Sequence, residues 1–359
     1  MAKIGIVGTG TIGRPLIHLL SEHGREIGID EVWFHKRTPL LEERGKVESL
    51  IEKGAKLIVD YNQRKKFEEL GHKPYATTDD FLAEVDVIID CTPKGEEMKH
   101  QYYQLVNRLR GDSFKGVIAQ GGSKETFGKN YAYDVNDSAL VAGEDKFIRV
   151  VSCNTHQILV VLNSIVLKHE GIHCLNFADF TIERRASDIS QDESIGSVEA
   201  AKPSHGEWGS HQSHDAGLVL KTFIPHIQPI IHAQVSKVPS QYMHVAHFNL
   251  QMNKNLGIDE IRMRFKENKL VASTNYMTSG KAYSEARDNN LIAGRILNQT
   301  VLLENTLQVV DGSRIYGTCF TPQDGNALLS SVAAALWMLD QKTYKEKMKS
   351  FDKYLFKTI

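Results

Sequence analysis

The chain has 359 residues, 41% apolar and 24% charged, with 43 Lys and Arg against 44 Asp and Glu for a net charge of −1. That is enough for about two domains with sizeable cores, and the charge balance argues against a protein that grips nucleic acid through bulk electrostatics. No apolar run reaches the ~18 residues of a membrane span, no signal-peptide pattern opens the sequence, and four cysteines without metal spacing (Cys91, Cys153, Cys174, Cys319) point to a reducing, cytoplasmic compartment and no membrane partner.

Strand and helix signals alternate through the first 150 residues. Residues 3–7 read as a short buried strand. Residues 11–23 read as a helix, with Ile12, Leu16, Leu19 and Leu20 near helical spacing. Further strands are expected at 31–35, 56–60, 86–90 and 116–120, with helical character at 41–53 and 63–70. This alternation predicts βαβ units in a Rossmann-type, doubly wound parallel sheet. The pattern then changes. Residues 147–151 are a strand and 154–169 an apolar-rich helix. Longer strands follow at 176–183, 234–239 and 244–252. Segments 302–310 and 314–321 flank Asp311 and Gly312, a hairpin turn signal. The polar, Gly/Ser/His-rich stretch 187–213 reads as a long loop, and 326–340 as a C-terminal helix. The expected fold class is α/β: the Rossmann-type domain at 1–151, rejoined by about 323–359, plus an α+β catalytic domain with mixed or antiparallel sheet at 152–322.

Two local patterns carry chemistry. Gly8, Thr9, Gly10, Thr11, Ile12 and Gly13 satisfy G-x-G-x-x-G between a predicted strand and helix, the context a dinucleotide-binding loop needs. Gly8 allows the tight turn, Gly10 lets a pyrophosphate approach, and Gly13 lets helix and strand pack closely. At the end of the second strand Lys36 and Arg37 stand where an NAD-selective site usually places an acid. A basic pair there favours the 2′-phosphate of NADP, with NAD the alternative. The second pattern is Ser152-Cys153-Asn154-Thr155, where a strand ends and a helix begins. A helix N-terminus lowers the pKa of a thiol, and nearby amides with Asn154 are placed to hold an oxyanion. The other three cysteines read as small buried residues. His205, His211 and His214 lack a completing cysteine or carboxylate at metal spacing, so no metal is expected.

With these motifs in order, the chain resembles archaeal-type glyceraldehyde-3-phosphate dehydrogenase. VVSCNT at 150–155 is similar to that family's nucleophile motif, and HKRTP at 35–39 to its cofactor-selecting turn. DCTPKG at 90–95 and AQGGSK at 119–124 resemble its cofactor-domain loops. ERRASD at 183–188, VPSQYMHVAH at 238–247 and YGTCFTPQDGN at 316–326 resemble its arginine-pair, histidine-strand and C-terminal segments. The resemblance implies Cys153 as nucleophile and His244 as the base that takes its proton, with His247 a competitor across an apparent one-residue insertion. It implies Ser152, Asn154, Thr155 and His211 as substrate-binding residues, and Gly122, Arg185 and Gln323 beside the cofactor. His156 departs from the family, which more often has threonine there. The implied reaction is NAD(P)-dependent oxidation of a phosphorylated three-carbon aldehyde, with inorganic phosphate releasing the acyl group, in a homotetramer. The alternatives are a related semialdehyde or acyl-phosphate dehydrogenase, or a non-catalytic cofactor-binding descendant.

Overall fold

The computed structural model describes residues 1–92, 96–120, 123–186, 195–240, 242–289 and 295–359. The chain forms two compact units. The first comprises Met1–Lys129, Leu140–Val150 and Ser330–Ser350; the second comprises Asn130–Ala139, Val151–Leu329 and Phe351–Ile359.

The first sheet is built from β1 (Lys3–Val7), β2 (Glu31–His35), β3 (Lys56–Val59), β4 (Ala76–Thr77), β5 (Val87–Asp90), β6 (Gly116–Ala119), β7 (Lys129–Tyr131) and β8 (Phe147–Val150). Their order is β4-β3-β2-β1-β5-β6-β8-β7, and every pair from β4 through β8 is parallel. β5 and β6 are buried along their whole length, as expected of parallel strands covered on both faces. Between the strands run α1 (Gly13–His23), α2 (Arg44–Glu52), α3 (Arg64–Glu69), α4 (Thr78–Glu84) and α5 (Glu96–Arg110). α1 buries Leu16, Ile17, Leu19 and Leu20, and α4 starts at a capping box between Thr77 and Asp80. α5 escapes the periodicity reading because its sequence, EEMKHQYYQLVNRLR, is polar; Tyr103 and Val106 carry its buried face.

The second unit opens with α6 (Cys153–Leu162), continued by a π turn, Asn163–Leu167. α6 is buried all round beyond Cys153, which fits an apolar helix of low amphipathicity. Its sheet contains β9 (Leu175–Arg185), β10 (Glu199–Ala200), β11 (Ile231–Val238), β12 (His244–Met252), β13 (Val271–Thr274), β14 (Thr300–Leu303), β15 (Gln308–Val310) and β16 (Arg314–Thr321). The order is β10-β11-β9-β12-β16-β14-β13, with β15 on β16. β9 pairs parallel with β11 and antiparallel with β12, so the sheet is mixed. The further helices of this unit are α7 (His211–Lys221), α8 (Ile258–Glu267) and α9 (Ser279–Asn289), whereas α10 (Leu328–Leu339), from Ser330 on, and α11 (Tyr344–Met348) belong to the first.

Two expected elements change. Residues 187–194 lie outside the described residues, and the stretch read as a loop to 213 already becomes helix at His211. Gly209, at φ +77°, turns the chain into α7, which buries Ala216, Val219 and Leu220. The single strand expected over 302–310 is two, because a 3₁₀ turn at Glu304–Thr306 intervenes, held by Thr306 Oγ1 donating to Leu303 O at 2.7 Å. The hairpin turn stands, with Asp311 and Gly312 both at positive φ.

α8 clamps the far end of the α6 segment. The Arg264 guanidinium, almost fully buried, donates to Ile165 O at 2.6 Å and to both oxygens of Glu170, at 2.6 and 2.7 Å. Hydrogen bonding from Arg264, with Lys254 adding to it, outweighs burial and holds the Glu170 carboxyl down at about 2. A depressed carboxylate contributes stability above its unfolded pKa and loses it as pH falls through the folded value. Glu170→Gln should therefore cost about 1.5–3 kcal/mol at pH 7. In urea titrations the gap to the parent protein should hold above pH 4.5 and narrow as pH falls toward 2; a gap independent of pH would place the loss elsewhere.

Candidate active site

In the first unit the glycine loop leaves β1 at the point where the strand order reverses, with β2 on one side and β5 on the other. Ligands of open α/β sheets bind at this kind of switch point. Gly8 adopts φ +95°, and a Cβ there would meet Thr92 Cγ2 at 3.0 Å. A Cβ on Gly13 would lie 2.0 Å from Gly8 O, so only glycine closes the turn. A Cβ on Gly10 would meet nothing within 4 Å, and the residue is exposed. Thr11 and Ile12 lead into α1, with Ile12 at its N-cap. The loop thus offers an open backbone surface at the start of an 11-residue helix, which fits the pyrophosphate of a dinucleotide.

The basic pair after β2 is less free than its sequence suggests. Lys36 is ion-paired with Glu43, which also holds Lys46. Arg37 is exposed, and its charge acts on Asp60, which His35 Nε2 approaches at 3.1 Å. Glu43 and Asp60 were not read from the sequence as part of this corner. Gly122 lies outside the described residues.

In the second unit Cys153 is the first residue of α6, behind the N-cap Ser152. Thr155 fixes this end: its amide donates to Ser152 Oγ, and its Oγ1 lies 2.9 Å from that hydroxyl and 3.3 Å from Gln212 O on α7. His211, one residue earlier, is exposed, its ring 6.4 Å from that of His205. Asn154 is buried, and its Oδ1 has no hydrogen-bond partner among the described residues. Burial pushes the Cys153 thiol up. The Arg185 guanidinium, the amides of Asn154 and Cys153, and Arg184 oppose it without overcoming it. The net direction is therefore opposite to the one expected from the helix N-terminus alone. All four cysteines are free, and Cys91 and Cys319 are also pushed up by burial.

β12 pairs His244 with Thr321 of β16. Alternation puts His244, Ala246 and Phe248 on the buried face of the strand. His247 faces the other way, exposed, with Nδ1 3.0 Å from Thr318 Oγ1. His244 is almost fully buried, and its Nδ1 accepts from the Arg185 amide at 3.0 Å. The neutral ring therefore carries its proton on Nε2 and presents a donor there. Burial, then Arg185 and Arg184, hold its pKa well below the usual imidazole range. The Arg185 side chain is buried too: Nε donates to Gln323 Oε1 at 2.8 Å and Nη1 to Tyr242 O at 2.7 Å. The same two arginines thus act on Cys153 and His244, which the fold brings into one electrostatic neighbourhood.

His156 has a contact that the sequence reading missed, although its i−4 spacing on a helix was the available signal. The ring is buried one turn behind the thiol, and Nδ1 donates to Ser152 O at 3.0 Å. Among the described residues no helix is long and apolar enough to cross a membrane.

No family model matches the chain. It is 30% identical over 258 residues to glyceraldehyde-3-phosphate dehydrogenase of Pyrobaculum islandicum, covering 70% of this chain and 67% of that one. It is 26% identical over 356 residues to the enzyme of the same name from Methanobacterium bryantii, covering 97% and 96%. The corresponding protein of Methanothermobacter thermautotrophicus is 27% identical over 359 residues, covering 98% of each chain.

The glycine geometry separates packing from ligand approach. Gly13→Ala should lower stability by at least about 2 kcal/mol, since the added methyl meets a backbone oxygen that cannot yield. Gly10→Ala should stay within about 0.5 kcal/mol of the parent. Denaturant melts of both proteins check this, and equal losses would mean the loop is not packed as described.

Proposed function

The chain belongs to the archaeal-type glyceraldehyde-3-phosphate dehydrogenase family, and on that premise we propose that it oxidises glyceraldehyde 3-phosphate through a thioester on Cys153. The product is released by inorganic phosphate as an acyl phosphate, 1,3-bisphosphoglycerate, in a homo-oligomer. The observation that carries this reading is the setting of Cys153: a thiol at a helix start, facing two amides and the field of a buried arginine.

The thiol first loses its proton to solvent, and Arg185 with the amides of Cys153 and Asn154 favours the thiolate. The sulfur attacks the aldehyde carbon, and the carbonyl π electrons move to oxygen. His244 serves this step as a donor, because its Nδ1 is occupied by the Arg185 amide and its proton sits on Nε2. We therefore replace the base's role expected for His244 with that of an oxyanion donor. A bound nicotinamide would supply the acceptor for the hydride that leaves this carbon as the oxyanion collapses. Cys153 then holds the acyl group as a thioester. A phosphate oxygen attacks the acyl carbon, the C–S bond breaks, and the thiolate returns. Ser152, Thr155 and His211, at the adjoining starts of α6 and α7, are proposed to hold the anionic substrate and phosphate.

The residues proposed to hold the dinucleotide are Gly8, Gly10, Thr11, Ile12 and Gly13, with Arg185 and Gln323 proposed for the nicotinamide side. Lys36 is committed to Glu43, so a preference for NADP over NAD would rest mainly on Arg37.

The test is reduction of NADP and of NAD with glyceraldehyde 3-phosphate, with and without inorganic phosphate. Phosphate-dependent reduction is expected, and Cys153→Ser should abolish it while leaving dinucleotide binding intact. Turnover without phosphate dependence would remove the phosphorylating step, and turnover only with other anionic aldehydes would move the substrate. Dinucleotide binding with no turnover on any aldehyde would overturn the enzyme reading.

His244 has its own test. His244→Phe should reduce the single-turnover rate by about 10²–10³-fold, the effect of losing one oxyanion donor. His244→Asn, which keeps an N–H, should fall at least tenfold less. Equal losses would return the residue to the role of base.

A further inference from the structure

The proposed reaction leaves His156 without a role, yet its geometry is specific. Its ring lies one turn behind the thiol on α6, and Nδ1 is 3.0 Å from Ser152 O. A carbonyl oxygen only accepts, so the ring donates and the Nδ1–H tautomer is fixed. The His156 main-chain N–H donates to the same oxygen at 2.9 Å. Ser152 O therefore receives two hydrogen bonds from one residue, in a site where the imidazole is 1% exposed. Burial takes the imidazole down to about 4, so the ring stays neutral and the bond keeps its form through the physiological range.

That carbonyl is one end of a planar peptide whose other end is the Cys153 N–H. This N–H, with that of Asn154, favours the thiolate of Cys153 against the burial that pushes its thiol up. Donors that draw electron density onto the oxygen make the N–H at the other end a stronger donor, by the cooperativity that links chained hydrogen bonds in a dry site.

We propose that His156 is a positioning residue for the nucleophile: its ring fixes and polarises the Ser152–Cys153 peptide, so that the Cys153 amide holds the thiolate more strongly. The charged groups acting on the sulfur are Arg184 and Arg185 of β9, and the His156 bond works alongside them through the peptide. The inference rests on Cys153 being the nucleophile, but its test needs no aldehyde.

Threonine on a helix can donate Oγ–H to the carbonyl four residues back, whereas valine has nearly the same shape and no donor. His156→Thr and His156→Val therefore lose the same ring and differ in the one bond at issue. The measurement is the pH dependence of iodoacetamide alkylation at Cys153, read by mass spectrometry of its peptide. His156→Val should move the midpoint upward and slow alkylation at neutral pH about threefold, while His156→Thr stays near the parent. Equal slowing in both would assign His156 to packing, and no slowing in either would show that the bond does not reach the sulfur; both results overturn the proposal. If either variant fails to fold, His156→Asn and His156→Leu make the same comparison. A difference between threonine and valine in a protein that oxidises no aldehyde would uphold the inference while removing the enzymatic reading.

Discussion

The field of the buried Arg185 acts on both Cys153 and His244 and sets the electrostatics around them. A guanidinium does not lose its charge at any pH that proteins meet. Its field therefore works in opposite senses on its two neighbours, favouring the thiolate of Cys153 and opposing the imidazolium of His244. A thiolate–imidazolium pair of the kind that activates many cysteine nucleophiles is disfavoured in this arrangement. The arginine and the surrounding amides supply the positive potential that an imidazolium would otherwise provide. The Arg185 main chain reinforces the division of labour by donating to His244 Nδ1, which fixes which nitrogen carries the proton.

Holding a charged side chain in this position requires a partner for each of its polar groups. Gln323 and the Tyr242 carbonyl meet two of its nitrogens. The same economy appears along α6. Thr155, His156 and Gln157 are buried polar residues of α6, and each is tied to a backbone carbonyl: Gln212 O, Ser152 O and Cys319 O. A buried donor without its acceptor costs more than the bond itself contributes. The bonds of Thr155 and Gln157 therefore select one seating of α6 against α7 and β16, while that of His156 stays within the start of α6. At the other end, Arg264 grips the Ile165 carbonyl. Cys153, the proposed nucleophile, sits at the start of a helix fixed along its length, which suits an attacking atom that must be held within a fraction of an ångström.

What was legible in the sequence follows from the range of the interaction involved. The glycine loop was readable because its three roles are local to six residues, and the structure gives those of Gly8 and Gly13 a steric cause. The strand-to-helix junction at Cys153 was readable for the same reason. The direction of the Cys153 shift was not, because it depends on how deeply the thiol is buried and on an arginine 32 positions away. α7 was hidden by its polar opening, SHQSHDAG, although the later Val219 and Leu220 face the interior. α5 was hidden because only a narrow apolar stripe of its surface is buried.

The corner after β2 shows the same limit in electrostatic form. Read along the chain, Lys36 and Arg37 form a basic pair with no acid beside them. Folding brings Glu43 onto Lys36 from seven residues on, and Asp60 into the field of Arg37 from the end of β3. A 2′-phosphate drawing on Lys36 would have to compete with a carboxylate already in contact with it, so the gain would be the difference between two ion pairs. Arg37, exposed and planar, faces a smaller penalty and can meet a phosphate through two parallel N–H groups. Selectivity in the proposed dinucleotide site is thus set less by the number of basic residues at the strand end than by which of them the fold has already neutralised.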